Sequence, residues 1–183
     1  MVREVVERIR RKDQRAMSEL YQHYVEELSS VCYRYVPAKN DAKEVLQNSF
    51  VKIFTAIPSM EYRSEESFES WMRTIVVNEA LHYLKERKEL LFAEQNLDEL
   101  PLTDDYIEPE PELISPDELH RLVRELPDGY RTVVNLYVFE EYSHREIAQL
   151  LGIKESTSAS QFYFAKQCLA KEIKKLMKGK LLK

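Results

Sequence analysis

A helix, a glycine turn and a second helix are predicted for residues 142–166, and this pattern restricts the possible folds more than any other stretch. Ser143 and Glu146 have the spacing of a capping box, so the first helix is expected to begin at Ser143. Gly152 can adopt the left-handed conformation that ends a helix. Apolar residues at helical spacing flank this glycine: Ile147, Leu150 and Leu151 precede it, and Phe162, Ala165 and Leu169 follow it.

Two structures fit this stretch. An ordinary helical hairpin in a bundle would show the same apolar spacing, whereas a helix-turn-helix would also carry polar residues at the start of its second helix. Here Ser, Thr and Gln residues occupy that start, and the small residue Ala148 lies four positions before Gly152. These features favour a DNA-binding helix-turn-helix over the hairpin.

The composition predicts an all-α protein. Apolar residues make up 44% of the 183 positions, enough for a real core, while only three glycines and few β-branched runs are present. No apolar run approaches the length of a membrane span, and residues 1–11 lack the apolar core of a signal peptide. Cys32 and Cys168 have no CxxC or metal-binding spacing, so we expect reduced, buried thiols in a cytoplasmic protein.

The net charge of −5 is unevenly distributed along the chain. Residues 1–90 carry 15 basic and 15 acidic groups, residues 91–128 carry 2 basic and 12 acidic groups, and residues 129–183 carry 10 basic and 5 acidic groups. The acidity is therefore concentrated in a middle segment, and the C-terminal part is basic. This asymmetry indicates two modules and a linker.

Prolines and capping residues divide the N-terminal part into helices. Asp13 is a suitable N-cap for a long helix that Pro37 would stop. Asn40 or Asp41 would cap the next helix, which Pro58 would end. The predicted organisation is a helical bundle over residues 1–90, an acidic, proline-containing linker over 91–116, and a four-helix domain with the helix-turn-helix over 117–183, of which 171–183 form a basic tail.

The acidic segment at residues 91–118 contains ten acidic groups, no Lys or Arg, and four of the seven prolines. Such a segment buries too little apolar surface to offset the entropy of ordering it, so an extended tether is expected. It is either a bare spacer or, given its uniform sign, a mimic of nucleic-acid charge that lies in a basic channel of a partner.

No pattern typical of an enzyme is present. The sequence has no Ser/His/Asp arrangement, no metal-ligand cluster and no glycine-rich phosphate loop, and its four histidines are scattered singly. The acidic cluster at residues 104–112 could bind a divalent cation weakly, but it lacks histidines and a glycine turn. We therefore expect no catalytic residues, no cofactor, no metal site and no small-molecule substrate.

Paired motifs give the chain a resemblance to a known family. The first module contains Asp-Ala-Lys-Glu-Val-Leu-Gln-Asn-Ser-Phe at 41–50 and Ser-Trp-Met-Arg-Thr-Ile-Val-Val-Asn at 70–78. The second contains Leu-Pro-Asp-Gly-Tyr-Arg at 126–131, followed by the helix-turn-helix. In this order, with an acidic linker between them, these motifs resemble the extracytoplasmic-function group of sigma-70 RNA polymerase sigma factors. The resemblance implies binding to core RNA polymerase and promoter DNA and control by an anti-sigma factor.

The resemblance implies a polymerase-docking role for the first motif. In the family this helix docks on a coiled coil of the polymerase clamp. Polar rim contacts would come from Asp41, Glu44, Gln47 and Asn48, with Phe50 largely in the core. Without the family, helix capping and complementarity to the helix dipole explain Asp41 and Glu44 equally well.

The resemblance also implies that the following loop and helix read the −10 element as it melts. Capture of an unstacked base requires polar or aromatic walls and phosphate anchors. Trp71 lies on the apolar face and is expected to be a core anchor. The candidate base-reading residues are Tyr62, Arg63, Ser67 and Asn78, and the candidate phosphate contacts are Arg73, Lys85 and Arg87.

In the second module the polar start of the recognition helix would enter the major groove at the −35 element. Ser156, Thr157, Ala159, Ser160 and Gln161 occupy the family's reading positions, with Arg145 and Lys166 for phosphates. Gln161 can pair with an adenine edge. Family members usually have more cations here, so we expect the isolated C-terminal domain to bind promoter DNA poorly. A sigma-like interaction protein with weakened DNA reading is the alternative.

Overall fold

The computed structural model describes residues 2–87 and 114–181, and every regular element within these ranges is a helix. The expectation of an all-α chain is therefore confirmed for the described residues. The chain forms two compact units, Met1–Lys88 and Glu89–Lys183. Most of the predicted acidic linker lies outside the described residues. The helices are α1 Val2–Arg10, α2 Gln14–Tyr35, α3 Lys39–Ala56, α4 Glu65–Glu86, α5 Pro116–Glu125, α6 Asp128–Val134, α7 His144–Leu151 and α8 Glu155–Leu181.

The first unit is a bundle in which α2, α3 and α4 pack on one another and α1 packs against α2. Apolar side chains at three- and four-residue steps along each helix point to the shared core. Asp13 caps α2, because its Oδ1 accepts hydrogen bonds from the N–H groups of Arg15 (2.9 Å) and Ala16 (3.3 Å). The core side chains include Leu20, Tyr24, Leu28, Val45, Ile53, Phe68, Met72, Val76 and Leu84.

The predicted cap of α3 is wrong. The helix begins at Lys39, directly after Pro37 and Ala38, and Ala38 stands at the N-cap with no side-chain hydrogen bond. Asn40 and Asp41 therefore lie inside the first turn rather than before it. There the carboxylate of Asp41 complements the positive end of the helix dipole without capping it.

A buried arginine stabilises the turn between the first two helices of the second unit. Ser115 and Glu118 form a capping box that starts α5. At the junction of α5 and α6, the Arg131 guanidinium donates to the backbone carbonyl of Leu126 (2.8 Å) and pairs with Asp128. The guanidinium is buried, so its charge-assisted bonds fix the turn between the two helices.

The middle of the second unit departs from a simple α-helix. Helix α6 ends at Val134, and the chain continues as a π-helical turn over Asn135–Phe139. The core beside it contains Val123, Leu126, Tyr130, Val134, Phe164 and Ala165.

The last helix is longer than the sequence pattern indicated. A basic tail was predicted for residues 171–183, but α8 continues through Leu181, and Ile173 is buried. Among residues 2–87 and 114–181, no helix has the length and apolar character needed to cross a lipid bilayer.

Gly152 should be sensitive to any substitution that restricts its backbone conformation. Its φ of 70° and ψ of 35° are left-handed, and an added Cβ would meet no atom within 4 Å, so strain alone sets the cost. We expect Gly152→Ala to destabilise the second unit by about 1 kcal/mol and Gly152→Asn by less, because asparagine tolerates this conformation. Denaturation followed by circular dichroism checks this order. The fluorescence transition of Trp71, the only tryptophan, reports the first unit and should not move.

Candidate functional site

Helix α3 presents a polar face to solvent. Glu44, Gln47 and Asn48 are exposed and lie at three- and four-residue spacing, so they share one side of the helix. Phe50 is only 4% exposed, and its ring lies 4.7 Å from that of Tyr21, which fits its predicted place in the core. The polar side chains could contact a partner directly, while Phe50 supports the face from beneath.

An ion pair joins two candidate residues that were assigned to different partners. Asp41, at the start of α3, accepts a hydrogen bond from Arg87 at 3.1 Å. Arg87 follows α4 and also lies over the ring of Tyr83, 4.8 Å from its centroid. Asp41 and Arg87 must therefore separate before each could contact its own partner.

The loop between α3 and α4 holds an aromatic side chain against the core. The Tyr62 ring lies 5.7 Å from that of Phe68, which in turn stacks on Trp71 at 5.6 Å. Burial, followed by the negative charge of Glu65, raises the pKa of Tyr62, so this phenol remains a neutral hydrogen-bond donor. Arg63 beside it is exposed and pairs only with Glu61, at 3.0 Å, among the contacts described.

Three of the predicted −10 residues share one face of α4. Ser67, Asn78 and Lys85 are exposed and differ by 11 and 7 positions, which places them nearly in line along an α-helix. Sequence reasoning missed Thr74 and His82, which are exposed on the same face. The i, i+4 spacing of these two residues with Asn78 was the available signal.

Arg73 does not belong to this face. It lies about 120° around the helix from Ser67, and it pairs with Glu27 of α2 at 2.9 Å. The structure therefore places Arg73 beside α2, apart from the other candidates, and its pairing explains why a basic residue is present there.

The turn between α7 and α8 has the predicted geometry. Ser143 Oγ accepts from the N–H of Glu146 at 3.3 Å, and Glu146 accepts from the N–H of Ser143 at 2.8 Å. Hydrogen bonds from Ser143 lower the pKa of Glu146, so the capping box remains intact until the carboxylate is protonated in acid. After Gly152, the N–H of Ile153 bonds to the carbonyl of Ala148 at 3.0 Å and closes the turn.

A histidine links the two helices of this turn. His144 Nδ1 and Ser158 Oγ lie 2.9 Å apart, joining the first residue of α7 to the second turn of α8. The His144 ring also stacks on Tyr137 at 4.6 Å. Because Ser158 is completely buried, this pair sets the relative position of the two helices.

The exposed start of α8 differs from the predicted reading set at one position. Ser156 and Ala159 are exposed, and Thr157 and Ser160 are half-buried. Gln161 is only 5% exposed, so its assignment as a base-reading residue is corrected: the side chain faces the interior, three residues after the buried Ser158.

Tyr163 was missed, although it is 41% exposed and lies four positions after Ala159. That helical spacing was the signal that could have found it. The exposed cations near this surface include Arg145 on α7, Lys154 directly before α8 and Lys166 on α8. Lys166 lies 5.2 Å from the centroid of the Phe162 ring.

The described residues contain no group of three or more His, Cys, Asp or Glu side chains arranged to hold a metal ion. Cys32 is buried in the first unit, and burial raises the pKa of its thiol to about 12. Burial also raises the pKa of the half-buried Cys168. Neither thiol has the ionised character of a reactive cysteine.

Comparison with known proteins identifies both units. Residues 20–89 match the family Sigma-70 region 2, and residues 117–169 match Sigma-70, region 4. The chain is 31% identical to the ECF RNA polymerase sigma-E factor of Haemophilus influenzae, covering 94% of this chain and 95% of that protein. It is 23% identical to the ECF RNA polymerase sigma factor SigW of Bacillus subtilis, covering 96% and 98%. A solved structure of CnrH in complex with the cytosolic domain of CnrY matches 94% of this chain with 19% identity and a TM-score of 0.49.

Substitutions at Gln161 and Tyr163 should separate folding from DNA reading. We expect Gln161→Ala to destabilise the second unit by about 1–2 kcal/mol, because it empties a buried position, while the preferred −35 sequence stays the same. Tyr163→Ala should leave stability nearly unchanged and weaken discrimination at one base pair by roughly 1 kcal/mol. Selection of −35 variants by holoenzyme measures both preferences. A changed preference for Gln161→Ala alone would restore the original assignment.

Proposed function

Since the chain belongs to the extracytoplasmic-function group of sigma-70 RNA polymerase sigma factors, we propose specific roles for its exposed faces in promoter recognition. As a sigma factor it directs RNA polymerase to promoters at transcription initiation, binds core polymerase and promoter DNA, and is not an enzyme. The observation that carries this function is the match of both sigma-70 regions, in order, within one chain. The roles of individual residues are proposals.

The polar face of α3 is our proposed docking surface for the polymerase clamp. Glu44, Gln47 and Asn48 are exposed on one side of a helix whose other side is buried in the bundle. This arrangement supports a rigid polar contact, since the backbone beneath it is fixed by packing. Asp41 would join the contact after its ion pair with Arg87 opens.

The Tyr62 loop and the exposed stripe of α4 are our proposed reader of the −10 element. An aromatic ring that rests on a packed core can stack with an unpaired base, and an exposed arginine next to it can hold a phosphate. Tyr62 supplies the ring that rests on the core, and Arg63 is the exposed arginine next to it. Ser67 and Asn78 extend the surface along α4 with hydrogen-bonding groups, and Lys85 adds a charge near its end.

The start of α8 is our proposed reader of the −35 element, with Ser156, Ala159, Ser160 and Tyr163 towards the bases. Thr157 is half-buried, and its carbonyl accepts a hydrogen bond from Ser160 Oγ at 3.0 Å, so it contributes mainly to the local backbone. Arg145 and Lys166 would hold phosphates and fix register. With so few cations, this unit should depend on the polymerase-docked first unit for its local concentration at DNA.

Control by an anti-sigma factor, and action in the cytoplasm where core polymerase works, complete the proposal. Membership of the extracytoplasmic-function group supports both. A protein under such control should be recovered from unstressed cells in an inactive complex that lacks core polymerase. Recovery of the native protein only with core polymerase, or free, would contradict this control.

A second candidate function is favoured because few cations lie near the start of α8, the proposed −35 surface. A sigma-like interaction protein would bind polymerase but read DNA weakly or not at all. Run-off transcription with core polymerase on a library of upstream regions separates the two candidate functions. Promoter-specific transcripts support the sigma factor, and their absence despite core binding supports the sigma-like interaction protein.

Asn78→Ala should impair promoter opening more than core binding. Asn78 is exposed on α4, on another helix from the proposed clamp contacts, so we expect about a tenfold slower opening with an unchanged affinity for core polymerase. Permanganate reactivity of the −10 thymines measures opening, and fluorescence titration measures core binding.

Glu44→Lys provides the converse, because it reverses a charge at the proposed docking face. We expect weaker core binding, while the assembled complex opens promoters at the normal rate. Equal losses in both measurements for Asn78→Ala would remove this residue from the DNA-reading set.

A further inference from the structure

Arg10, on the N-terminal helix α1, forms hydrogen bonds with the backbone of the loop that carries Tyr62 and Arg63. Arg10 Nη2 donates to the backbone carbonyl of Met60 at 2.5 Å, and its Nε donates to the carbonyl of Ile57 at 3.4 Å. These carbonyls are about fifty residues away in sequence. The region 2 match begins only at residue 20, so Arg10 lies outside it.

The bonds of Arg10 satisfy the end of a helix. Helix α3 ends at Ala56, and the N–H groups of Ser59 and Met60 both bond to the Ala56 carbonyl at 3.1 Å. The carbonyls that follow have no helical donor ahead of them, and a cation at this end also complements the helix dipole. The guanidinium therefore fixes the direction in which the chain leaves α3.

Arg10 is itself held in place. Its Nη1 donates to Glu7 at 2.6 Å, one turn earlier on α1. Helix α1 is anchored to α2 by buried apolar side chains and by Arg8, which pairs with Asp13 and Glu19 at 2.8 Å each. A donor on a fixed helix can position a loop, whereas a donor on a mobile side chain can only follow it. The buried side chains of α1 are Val2, Val6 and Ile9.

The loop is thus fixed at both ends. At its far end, Ser64 caps α4 by accepting a hydrogen bond from the N–H of Ser67 at 3.1 Å. Tyr62 and Arg63 lie between Met60 and Ser64, a span too short to vary much once its ends are set.

We propose that Arg10 is a positioning residue for capture of the −10 element: it holds the loop between α3 and α4 so that Tyr62 and Arg63 meet the unpaired bases in one fixed arrangement. This inference rests on the proposed function of that loop. Arg10 itself contacts no DNA. Its loss would leave the polymerase-docking face and the second unit unchanged while Tyr62 and Arg63 sample several positions.

Substitution of Arg10 with a matched neighbour as control tests the inference. Holoenzymes with Arg10→Gln and with Arg11→Gln carry the same net charge, but Arg11 is exposed and has no described side-chain contact. Capture of a single-stranded −10 oligonucleotide and of its single-base variants is titrated for each, together with core affinity. We expect Arg10→Gln to weaken capture about three- to tenfold and to reduce discrimination between bases, with core affinity unchanged. Capture and discrimination equal to those of Arg11→Gln would overturn the inference.

Two further variants separate this inference from the function on which it rests. If Tyr62→Ala and Arg63→Gln leave capture unchanged, the loop does not read the −10 element and both proposals fail. If they weaken capture but Arg10→Gln does not, only the role of Arg10 fails.

Arg10→Lys keeps the charge and the aliphatic stem but cannot donate to both carbonyls in the same fork, and it guards against misfolding of the glutamine variant. We expect faster amide exchange in residues 59–64 of Arg10→Lys than of Arg11→Lys. Equal exchange in the two lysine variants would also overturn the inference.

Discussion

Burial of one face of each helix in the first unit is the constraint on which the rest of the structure depends. Because α3 and α4 both pack against α2 and against each other, each has only one side left for a partner. The free side of α3 is polar and holds Glu44, Gln47 and Asn48, and the free side of α4 is a stripe through Ser67, Asn78 and Lys85. One small core thus supports two separate exposed surfaces, for which we propose protein binding and DNA binding respectively.

The exposed ion pairs determine which charged side chains are available on these surfaces, and they contribute little to the stability of the fold. The pair between Asp41 and Arg87 is partly exposed, and such pairs contribute about 0–1 kcal/mol, so binding to polymerase or DNA can open it at small cost. The pair between Arg73 and Glu27 keeps the Arg73 cation beside α2 rather than on the exposed stripe of α4. Arg131 differs from both, because it is buried and its bonds to backbone carbonyls fix the turn between α5 and α6.

Local patterns in the sequence predicted much of this architecture, because capping and apolar spacing act within one or two turns. Asp13 and Ser143 start their helices as expected, and Gly152 ends α7 in the left-handed conformation. The same local logic failed where polar residues face inwards. The predicted inner face of α8 is confirmed, since Ala165 is buried and Phe162 and Leu169 pack against the core. Ser158 and Gln161 lie three positions apart and are buried too, and a search for apolar spacing does not find buried polar residues. The contact of Arg10 with Met60 joins residues 50 positions apart, and no local pattern reports such a pair.

We propose that one chain joins a polymerase-docked reader of the −10 element to a weak reader of the −35 element. The decisive measurement is transcription from promoters in which the spacing between the two elements is altered. Insertion of about five base pairs turns the −35 element to the opposite face of the DNA helix, and insertion of about ten restores its face at a greater distance. We predict a sharp loss of transcript with the half-turn insertion, as large as the loss when the −35 element is replaced. Equal transcription from all spacings, with dependence on the −10 element alone, would contradict it.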